Sequence, residues 1–500
     1  MKKVSGFTIA MVLTAVLSAL TTHAQYSTFR LSDYKNPDYL YQSLVLDFAF
    51  NTRLNLQDER ELRNFNYNNF SLGLDAGGNY QRFSNSLKRQ SDLGISLNAG
   101  IHSSSSGYKF TEPNQENTSD RFRHSEQLEI DLAERFYNRN RYYFEVNAVM
   151  NNFYGASFTE EENKTDTTVY SSDYNQKDFN NSISASFLVG KGRIEQVQDA
   201  RLALFLLEDL HKLNRDKRVA TDGEIIELAE LITSLKNKRF FDDRLRKIAE
   251  ITAIDSFMQK KGIAGLPDAG YFTSLNDNWI YANNPARYSG YRVFTGIEAT
   301  LLYNNTNAHK EVFEPFSDLE KLKNTTTETG LFFVAGIRSE KPISLKWQRS
   351  ASLKGRLGMK QQFNSMEEFE TSVTDTTTKM YSEIIPSINL AADWGYGFYP
   401  NSRTWLVFNW ELTGGYNQRE QGTTKEDKTG LQNDFYLFTG PDLSAYYYIS
   451  EKIRLSLNFN GQFILENTEF TGVDISDNEN KYKNVQWGHS IVASLNYSLF

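Results

Sequence analysis

The sequence predicts an all-β membrane barrel of about 14 antiparallel transmembrane strands with a three-helix periplasmic insertion. Three observations predict it. Apolar and polar residues alternate in segment after segment, the connections alternate between short and long, and a single block with helical periodicity interrupts the pattern. Strands that cross a bilayer are apolar only at every second position, so they read as polar on average, and the mean hydropathy here is −0.55.

The N-terminus predicts a secretory signal peptide over residues 1–24. Two lysines precede an apolar run, and small residues stand at Thr22 and Ala24, the −3 and −1 positions of a cleavage site. The apolar run is too short for a membrane-spanning helix. We therefore expect an exported chain in which residues 25–41 form a periplasmic segment ahead of the first strand.

The composition excludes several functional classes. The 500-residue chain has a formal net charge of −8, so nucleic acid is not an expected partner. It contains no Cys, which excludes disulfides, a thiol nucleophile and a lipidated N-terminal Cys. Any attachment to a membrane must therefore come from the fold itself, with outer-membrane lipid as the expected partner.

Fourteen alternating segments are expected to be strands, with strands 1–6 in residues 42–190 and strands 7–14 in residues 271–500. In the first, Leu46 and Phe48 flank Asp47. Most segments have ten or more residues, the length that a tilted strand needs to cross a bilayer. They lie at roughly 44–54, 70–80, 93–101, 126–137, 141–154, 180–190, 291–304, 330–340, 344–361, 381–398, 403–417, 433–449, 452–465 and 485–499.

The connections predict which end of the barrel faces the periplasm. Short turns at 138–140, 340–343, 399–402 and 449–451 alternate with long polar stretches at 103–124, 155–179, 305–329, 362–380, 418–432 and 466–484. Outer-membrane barrels have tight periplasmic turns and longer extracellular loops. Both termini are therefore expected in the periplasm.

Aromatic residues near the strand ends are expected to form the membrane belt. The predicted belt residues are Trp394, Phe398, Trp405, Trp487, Tyr497 and Phe500. The final residues, SIVASLNYSLF, resemble the C-terminal assembly signal of Gram-negative outer-membrane barrels, and this resemblance implies the barrel-assembly machinery as a partner during biogenesis. The Tyr-, Asn- and Lys-rich strands and the AQ cleavage site resemble Bacteroidetes outer-membrane proteins.

The helical block, predicted at residues 191–270, lies between strands six and seven, where a periplasmic turn belongs. Thr221 and Glu224 form a capping-box pattern at the start of its second helix. Each helix has one apolar stripe, which packs on the other helices or on a partner. The block is thus a self-contained decoration, a docking site for a periplasmic protein, or a plug or gate. Candidate docking residues are Val197, Leu204, Leu207, Ile225, Ile232, Leu245 and Ile248.

The polar register of the strands is expected to face the lumen. The candidate pore-lining residues are Asp47, Asp75, Glu129, Asp131, Glu145, Lys346, Lys354, Arg356, Lys360 and Arg454. Acidic residues on early strands would face basic residues on later ones and create a transverse field. Alternatively, these charges pair with neighbouring strands and fill a polar interior.

The sequence therefore predicts a channel or export conduit for polar solutes, with a helical domain that gates it or docks a partner. The alternative is a non-conducting structural or assembly protein that acts through its periplasmic helices or extracellular loops. Ligand binding by the long loops is a third possibility. We find no catalytic motif, phosphate loop or metal-ligand spacing, so neither an enzyme nor a cofactor or metal is expected.

Overall fold

The computed structural model describes residues 28–59, 65–111, 114–237, 243–265, 267–281, 286–313, 318–370, 375–421, 430–450, 453–471 and 481–497. The predicted signal peptide over residues 1–24 and the terminal Phe500 lie outside the described residues.

Fourteen strands form one sheet in which each strand pairs antiparallel with the next along the chain. This confirms the predicted number of strands and the antiparallel fold class, with the strand order of an up-and-down barrel. The strands are β1 (Tyr39–Glu59), β2 (Phe65–Asn85), β3 (Arg89–Thr111), β4 (Asn114–Tyr137), β5 (Tyr142–Thr165), β6 (Val169–Gln196), β7 (Tyr288–Phe313), β8 (Asp318–Pro342), β9 (Trp347–Glu370), β10 (Asp375–Phe398), β11 (Thr404–Gln421), β12 (Gly430–Tyr448), β13 (Ile453–Thr471) and β14 (Lys481–Tyr497).

The ladder of strand pairs begins at β1 and ends at β14. Within the described residues, β1 pairs with β2, β14 pairs with β13, and no pairing joins β1 to β14. Apolar side chains of both strands are exposed on both faces, as Val45 and Phe48 illustrate on β1. These two strands are therefore the edges of the sheet.

The sheet is strongly curved near its short turns. The Tyr39 hydroxyl on β1 donates to Gln196 Oε1 at the end of β6 at 2.7 Å. Gln90 Nε2 on β3 donates to the Ile194 carbonyl of β6 at 3.1 Å. In a flat sheet β1 and β6 would be roughly 24 Å apart, at about 4.8 Å per strand. The face that carries Tyr39 and Gln90 is therefore concave.

The strand register assigns polar side chains to the concave face and apolar side chains to the convex face. Asp47 pairs with Gly77, and Asp75 pairs with Gly100, on the face of Tyr39. Leu46 and Phe48 lie on the convex face and are 62% and 76% exposed. This is the register that the alternation predicts, because successive side chains of a strand point to opposite faces.

The strands are longer than the sequence predicts, and the prediction of long polar loops is wrong for most of residues 103–124, 155–179, 305–329 and 362–380. Of the last two predicted loops, residues 422–429 and 472–480 lie outside the described residues. Residues 103–124 belong almost entirely to β3 and β4, and residues 155–179 to β5 and β6. β6 alone has 28 residues. Beyond the apolar band both faces are polar, as in the serine run at 103–106, so no alternation marks these residues as strands.

Four helices, one more than predicted, connect β6 to β7: α1 (Gln198–Lys212), α2 (Asp222–Lys236), α3 (Asp243–Lys260) and α4 (Ala269–Ile280). The insertion therefore extends to residue 287, beyond the predicted boundary at 270. The sequence analysis does not predict α4. Asp268 is its N-cap and accepts a hydrogen bond from Tyr271 N at 2.9 Å. None of the described helices is both long and apolar enough to span a membrane.

The helical block, α1–α4 with their connections, has its own apolar core. Leu204, Leu207 and Ile225 are at most 2% exposed. The N-terminal segment joins this core through Phe29, Leu31 and Tyr34. The capping box predicted at the start of α2 is present, with Thr221 and Glu224 bonding reciprocally.

Candidate functional site

The acidic candidates of the early strands line one part of the concave face. Asp75 lies 3.0 Å from His102 Nε2, and Asn51 Nδ2 donates to it at 3.3 Å. Among the described residues, no Lys, Arg or His nitrogen lies within 4.0 Å of Asp47, Glu129 or Asp131. This wall therefore presents carboxylates that are not neutralised by a contacting cation.

The basic candidates of β9 contact carboxylates from neighbouring strands. Lys354 Nζ lies 3.1 Å and Arg356 Nη2 2.7 Å from Glu298 of β7. Lys360 Nζ lies 3.1 Å from Glu328 of β8. Two carboxylates thus contact three cations and leave one positive charge in excess, so on this side the predicted free basic arc is largely replaced by local pairing.

The remaining lumen candidates lie near the short-turn end. Glu145 is buried and pairs with Arg135 at 2.8 Å, with Arg292 at 4.0 Å on its other side. Arg454 lies over the ring of Tyr446, 5.5 Å from its centroid. Lys346 lies in the turn before β9 rather than in a strand.

The belt candidates divide between the two faces. Trp394 and Phe398 pair with residues of the convex face, and Trp487 is exposed there. The register places Tyr497 on the same face, whereas Phe500 lies outside the described residues. Trp405 is on the concave face, where it packs edge-on against Tyr446 with ring centroids 4.7 Å apart. Its prediction as a belt residue is corrected, because proximity to a turn does not decide which face a residue occupies.

Most of the docking candidates are inside the helical block. The buried ones are Val197, Leu204, Leu207, Ile225 and Ile232. Their stripes pack on each other, which removes these five residues from any surface that a partner reaches. Leu245 and Ile248 of α3 are exposed, at 53% and 57%, and docking at these two residues stays a prediction.

The block lies against the short-turn end of the sheet. Leu345, in the turn between β8 and β9, is part of the core of the block. Arg403, after the turn between β10 and β11, donates through Nε to Asp277 of α4 at 3.0 Å. Tyr281, just after α4, packs on Tyr448 at the end of β12 with ring centroids 5.0 Å apart. The block therefore covers the turns from β8 to β12.

The end of β6 covers the short-turn end of the sheet on the side of the early strands. Arg193 donates to Asn85, to the Ser86 carbonyl and to the Leu87 carbonyl at 2.9 to 3.0 Å, all at the turn between β2 and β3. Its guanidinium also lies over the ring of Tyr137 on β4. The helical block and the end of β6 together lie across the short-turn end of the sheet from β1 to β12. We call them the cap.

Two buried arginines join the cap to the sheet. Arg287 is 1% exposed and donates to the carbonyls of Ser344, Leu345 and Trp347 in the turn between β8 and β9. Arg201 of α1 is 2% exposed. Burial lowers the pKa of Arg201 to about 10 and that of Arg287 to about 9. Both remain protonated at neutral pH, so the carbonyls and the ring of Tyr399 compensate two buried cations.

The sequence did not reveal the residues that fasten the cap. Asp277 lies on α4, a helix that the sequence does not predict. The other three lie in connecting segments: Arg287, Tyr399 and Arg403. Asp277 and Arg403 are 126 residues apart in the chain, so no local periodicity relates them. The signal present in the sequence is the set of aromatic residues near the short turns, of which Trp394, Phe398 and Trp405 are predicted as part of the membrane belt.

Comparisons with known proteins identify no family. No family model matches the sequence, and no curated protein matches it. The chain is similar to the translocator domain of the autotransporter NalP from Neisseria meningitidis, with 9% identity, coverage of 89% of this chain and 96% of that chain, and a TM-score of 0.21. For the transport unit of the autotransporter AIDA-I from Escherichia coli the values are 9%, 88%, 97% and 0.19. For the siderophore receptor PiuA from Acinetobacter baumannii they are 8%, 93%, 82% and 0.15. These TM-scores are too low to carry a functional argument.

Proposed function

We propose that this chain is an outer-membrane channel or export conduit for polar solutes whose periplasmic end is closed by the cap. One observation carries the proposal: a concave face lined by polar side chains is covered at its short-turn end by a separately packed helical block. A sheet that served only as an anchor would need neither a polar interior nor a covered end. The proposal is for transport and includes no catalytic step and no cofactor.

The convex face supports placement in a membrane. Leu331, Phe333 and Trp487 are among its large apolar side chains, and each is more than half exposed. A water-soluble protein rarely exposes a continuous apolar surface of this kind. In a bilayer these side chains contact lipid, and the short turns together with both chain ends lie in the periplasm.

The two edge strands are expected to pair with each other in the membrane, because unpaired backbone groups are very costly in lipid. Following the pairings around the sheet leads from Tyr41, near the start of β1, to Tyr482, near the start of β14. Those positions lie at opposite ends of the sheet. Tilted strands that close into a barrel have such an offset between the first and the last strand. We therefore expect β14 to pair with β1 so that Leu495 lies near Leu44.

The acidic wall favours a preference for cations. Asp47, Asp75, Glu129 and Asp131 lie on β1, β2 and β4, whereas the basic side chains contact carboxylates: Lys354 and Arg356 share Glu298, and Lys360 pairs with Glu328. Carboxylates that line a water-filled channel raise the local concentration of cations. We therefore expect a reversal potential that indicates cation selectivity under a salt gradient.

The alternative is a non-conducting structural or assembly protein. It is favoured by the exposed apolar side chains Leu245 and Ile248, where a periplasmic protein would find an apolar surface. In that case the cap is permanent, and its outer surface performs the function.

Conductance in a planar bilayer tests the proposal. The full chain is compared with a variant in which residues 197–287 are replaced by a short Gly/Ser turn. Gln196 and Tyr288 are paired at the ends of β6 and β7, so a hairpin turn can join them. We expect low or intermittent conductance from the full chain and stable, cation-selective conductance from the variant. If the variant folds, as judged by its resistance to SDS, but does not conduct, the channel function is excluded.

A matched variant separates the two functions. Leu245→Ser with Ile248→Ser changes the exposed surface of α3 and leaves the cap in place. The channel proposal expects its conductance to equal that of the full chain. A loss of function in cells with unchanged conductance would favour the docking alternative.

A further inference from the structure

We propose that the cap is a hinged gate: its root stays fastened to the sheet, and a latch formed by α4 with the sheet breaks when the channel opens. The inference rests on the channel function proposed above and adds how it is regulated. It comes from a contrast in the burial of charged groups between two of the places where the block is fastened.

The root of the block is a buried polar joint. Arg287 donates to the Ser344 carbonyl at 3.0 Å and to the Trp347 carbonyl at 2.9 Å, and the Tyr399 ring lies 5.1 Å from its guanidinium carbon. Arg287 and Tyr399 are 1% and 6% exposed. Separating these groups would leave a buried cation without its partners, which costs far more than making one hydrogen bond gains. This joint is therefore expected to stay closed.

The backbone fixes the direction in which the root leaves the sheet. Gly192 on β6, which pairs with Arg292, has a φ of 104°, and Gly290 on β7, two positions along the same ladder, has a φ of 126°. A Cβ at Gly192 would lie 2.2 Å from the Tyr291 carbonyl oxygen, and one at Gly290 would lie 2.0 Å from that of Arg193. Only glycine adopts this bend without strain. The two strands thus carry the block from a defined pivot.

The latch consists of the packing of Tyr281 against Tyr448 and an exposed ion pair between Asp277 and Arg403. Tyr281 itself is buried, at 6% exposed, so only the charged part of the latch is in contact with water. The ion-pair side chains are 35% and 36% exposed. Arg403 also lies over the ring of Tyr281, 5.3 Å from its centroid. An ion pair in contact with water contributes little stability and is screened by salt.

The contrast between root and latch determines how the cap moves. Because the cation of the root is buried and the charged side chains of the latch are a third exposed to water, we expect the Asp277–Arg403 ion pair to break before the Arg287 joint does. α4 then swings away from β11 and β12, while Arg287 continues to hold the block to the turn between β8 and β9. The opening is expected to become more frequent as ionic strength rises, because salt weakens the Asp277–Arg403 pair.

Charge exchange tests the latch. Asp277→Arg sets two cations together, and Arg403→Asp in the same chain restores an ion pair of reversed polarity. We expect the single variant to open about two- to fivefold more often than the wild type in single-channel records, and the double variant to return to the wild-type frequency.

A second measurement reports the latch without using conductance. The chain has no Cys, so Tyr281→Cys with Tyr448→Cys provides the only two thiols. These two substitutions remove the aromatic packing of the latch, so the thiol pair reports on the Asp277–Arg403 contact alone. A short bis-maleimide should cross-link the pair rapidly in the otherwise wild-type chain, more slowly with Asp277→Arg, and rapidly again with the charge exchange. Phe144→Cys with Phe187→Cys, whose rings are 6.4 Å apart on β5 and β6 away from the cap, serves as the control pair and should react equally in every background.

The two measurements distinguish failure of the gate from failure of the channel. Equal cross-linking in all backgrounds would overturn the latch even if the channel conducts. Slower cross-linking with Asp277→Arg, reversed by the exchange, supports the latch even if no conductance is found. Conductance that persists after the thiols at 281 and 448 are cross-linked would show that the block is not a gate.

Discussion

The sheet and the helical block differ in where their apolar side chains lie. Those of the block lie in its core, and those of the sheet lie on its outer, convex face. In the block, Leu204, Ile225 and Ile254 are at most 2% exposed, as in any protein core in water. In the sheet, Phe48 is 76% exposed on the convex face, and polar side chains fill the concave face. A side chain that is apolar and exposed is favourable only if the surrounding medium is itself apolar. The difference therefore fits the placement proposed above, in which lipid surrounds the sheet and water surrounds the block.

The largest expected effect concerns the edges of the sheet, which lipid would force to pair. Leu44→Cys with Leu495→Cys should be cross-linked within one chain by a short bis-maleimide after refolding into vesicles, in nearly all molecules. Leu44→Cys with Val485→Cys is the matched control, because Val485 lies ten residues away along β14, about 33 Å at 3.3 Å per residue. Cross-links between chains instead would show that the edges pair with a second copy.

A cavity in the core of the block should destabilise it as much as a cavity destabilises the core of a water-soluble protein. Leu207→Ala should destabilise it by about 2–5 kcal/mol, because the lost side chain leaves a cavity in a packed interior. Urea titration with limited proteolysis of the block measures this. Leu331→Ala on the convex face makes the same chemical change without opening a core cavity. Equal loss of block stability in both variants would contradict the comparison.

The convex face should reject charge as a lipid-facing surface does. Phe333→Arg is expected to cost about 2–4 kcal/mol of folding free energy in vesicles if the position lies near the bilayer midplane. Ser184→Arg places the same side chain on the concave face of β6, where water is expected, and should cost much less. The reverse order, measured by urea titration in vesicles, would contradict the assignment of the two faces.

The smallest expected effect is on the pH dependence of the block. The Arg218 guanidinium and the Thr221 hydrogen bonds lower the pKa of Glu224 from 4.5 to about 2. A carboxylate with a lowered pKa stabilises the folded state above pH 4.5, and this contribution disappears as the pH falls towards 2. Glu224→Gln should cost about 1 kcal/mol of block stability at neutral pH, as loss of a cap does. The difference between variant and wild type should shrink between pH 5 and pH 2, and a constant difference would contradict the role of the charge.

Much of the fold could be predicted because alternation is a local property. The register of β1 and of β14 follows from which positions are apolar, as Phe48 and Trp487 show. The capping box at Thr221 was also visible, since both partners lie within one turn of helix. The extension of β3 through the serine run was not visible, because both of its faces are polar.

The sequence by itself determined that apolar and polar residues alternate along the strands, that there are fourteen strands, and that a helical block replaces one short turn. These features depend on residues one to four positions apart, where periodicity carries the information. Only the tertiary structure decided that the block lies across the short-turn end, that Arg287 and Tyr399 form its buried joint, and that Asp277 meets Arg403. Those contacts join residues more than fifty positions apart, and side chains that meet only after the sheet curves leave no periodic trace in the chain.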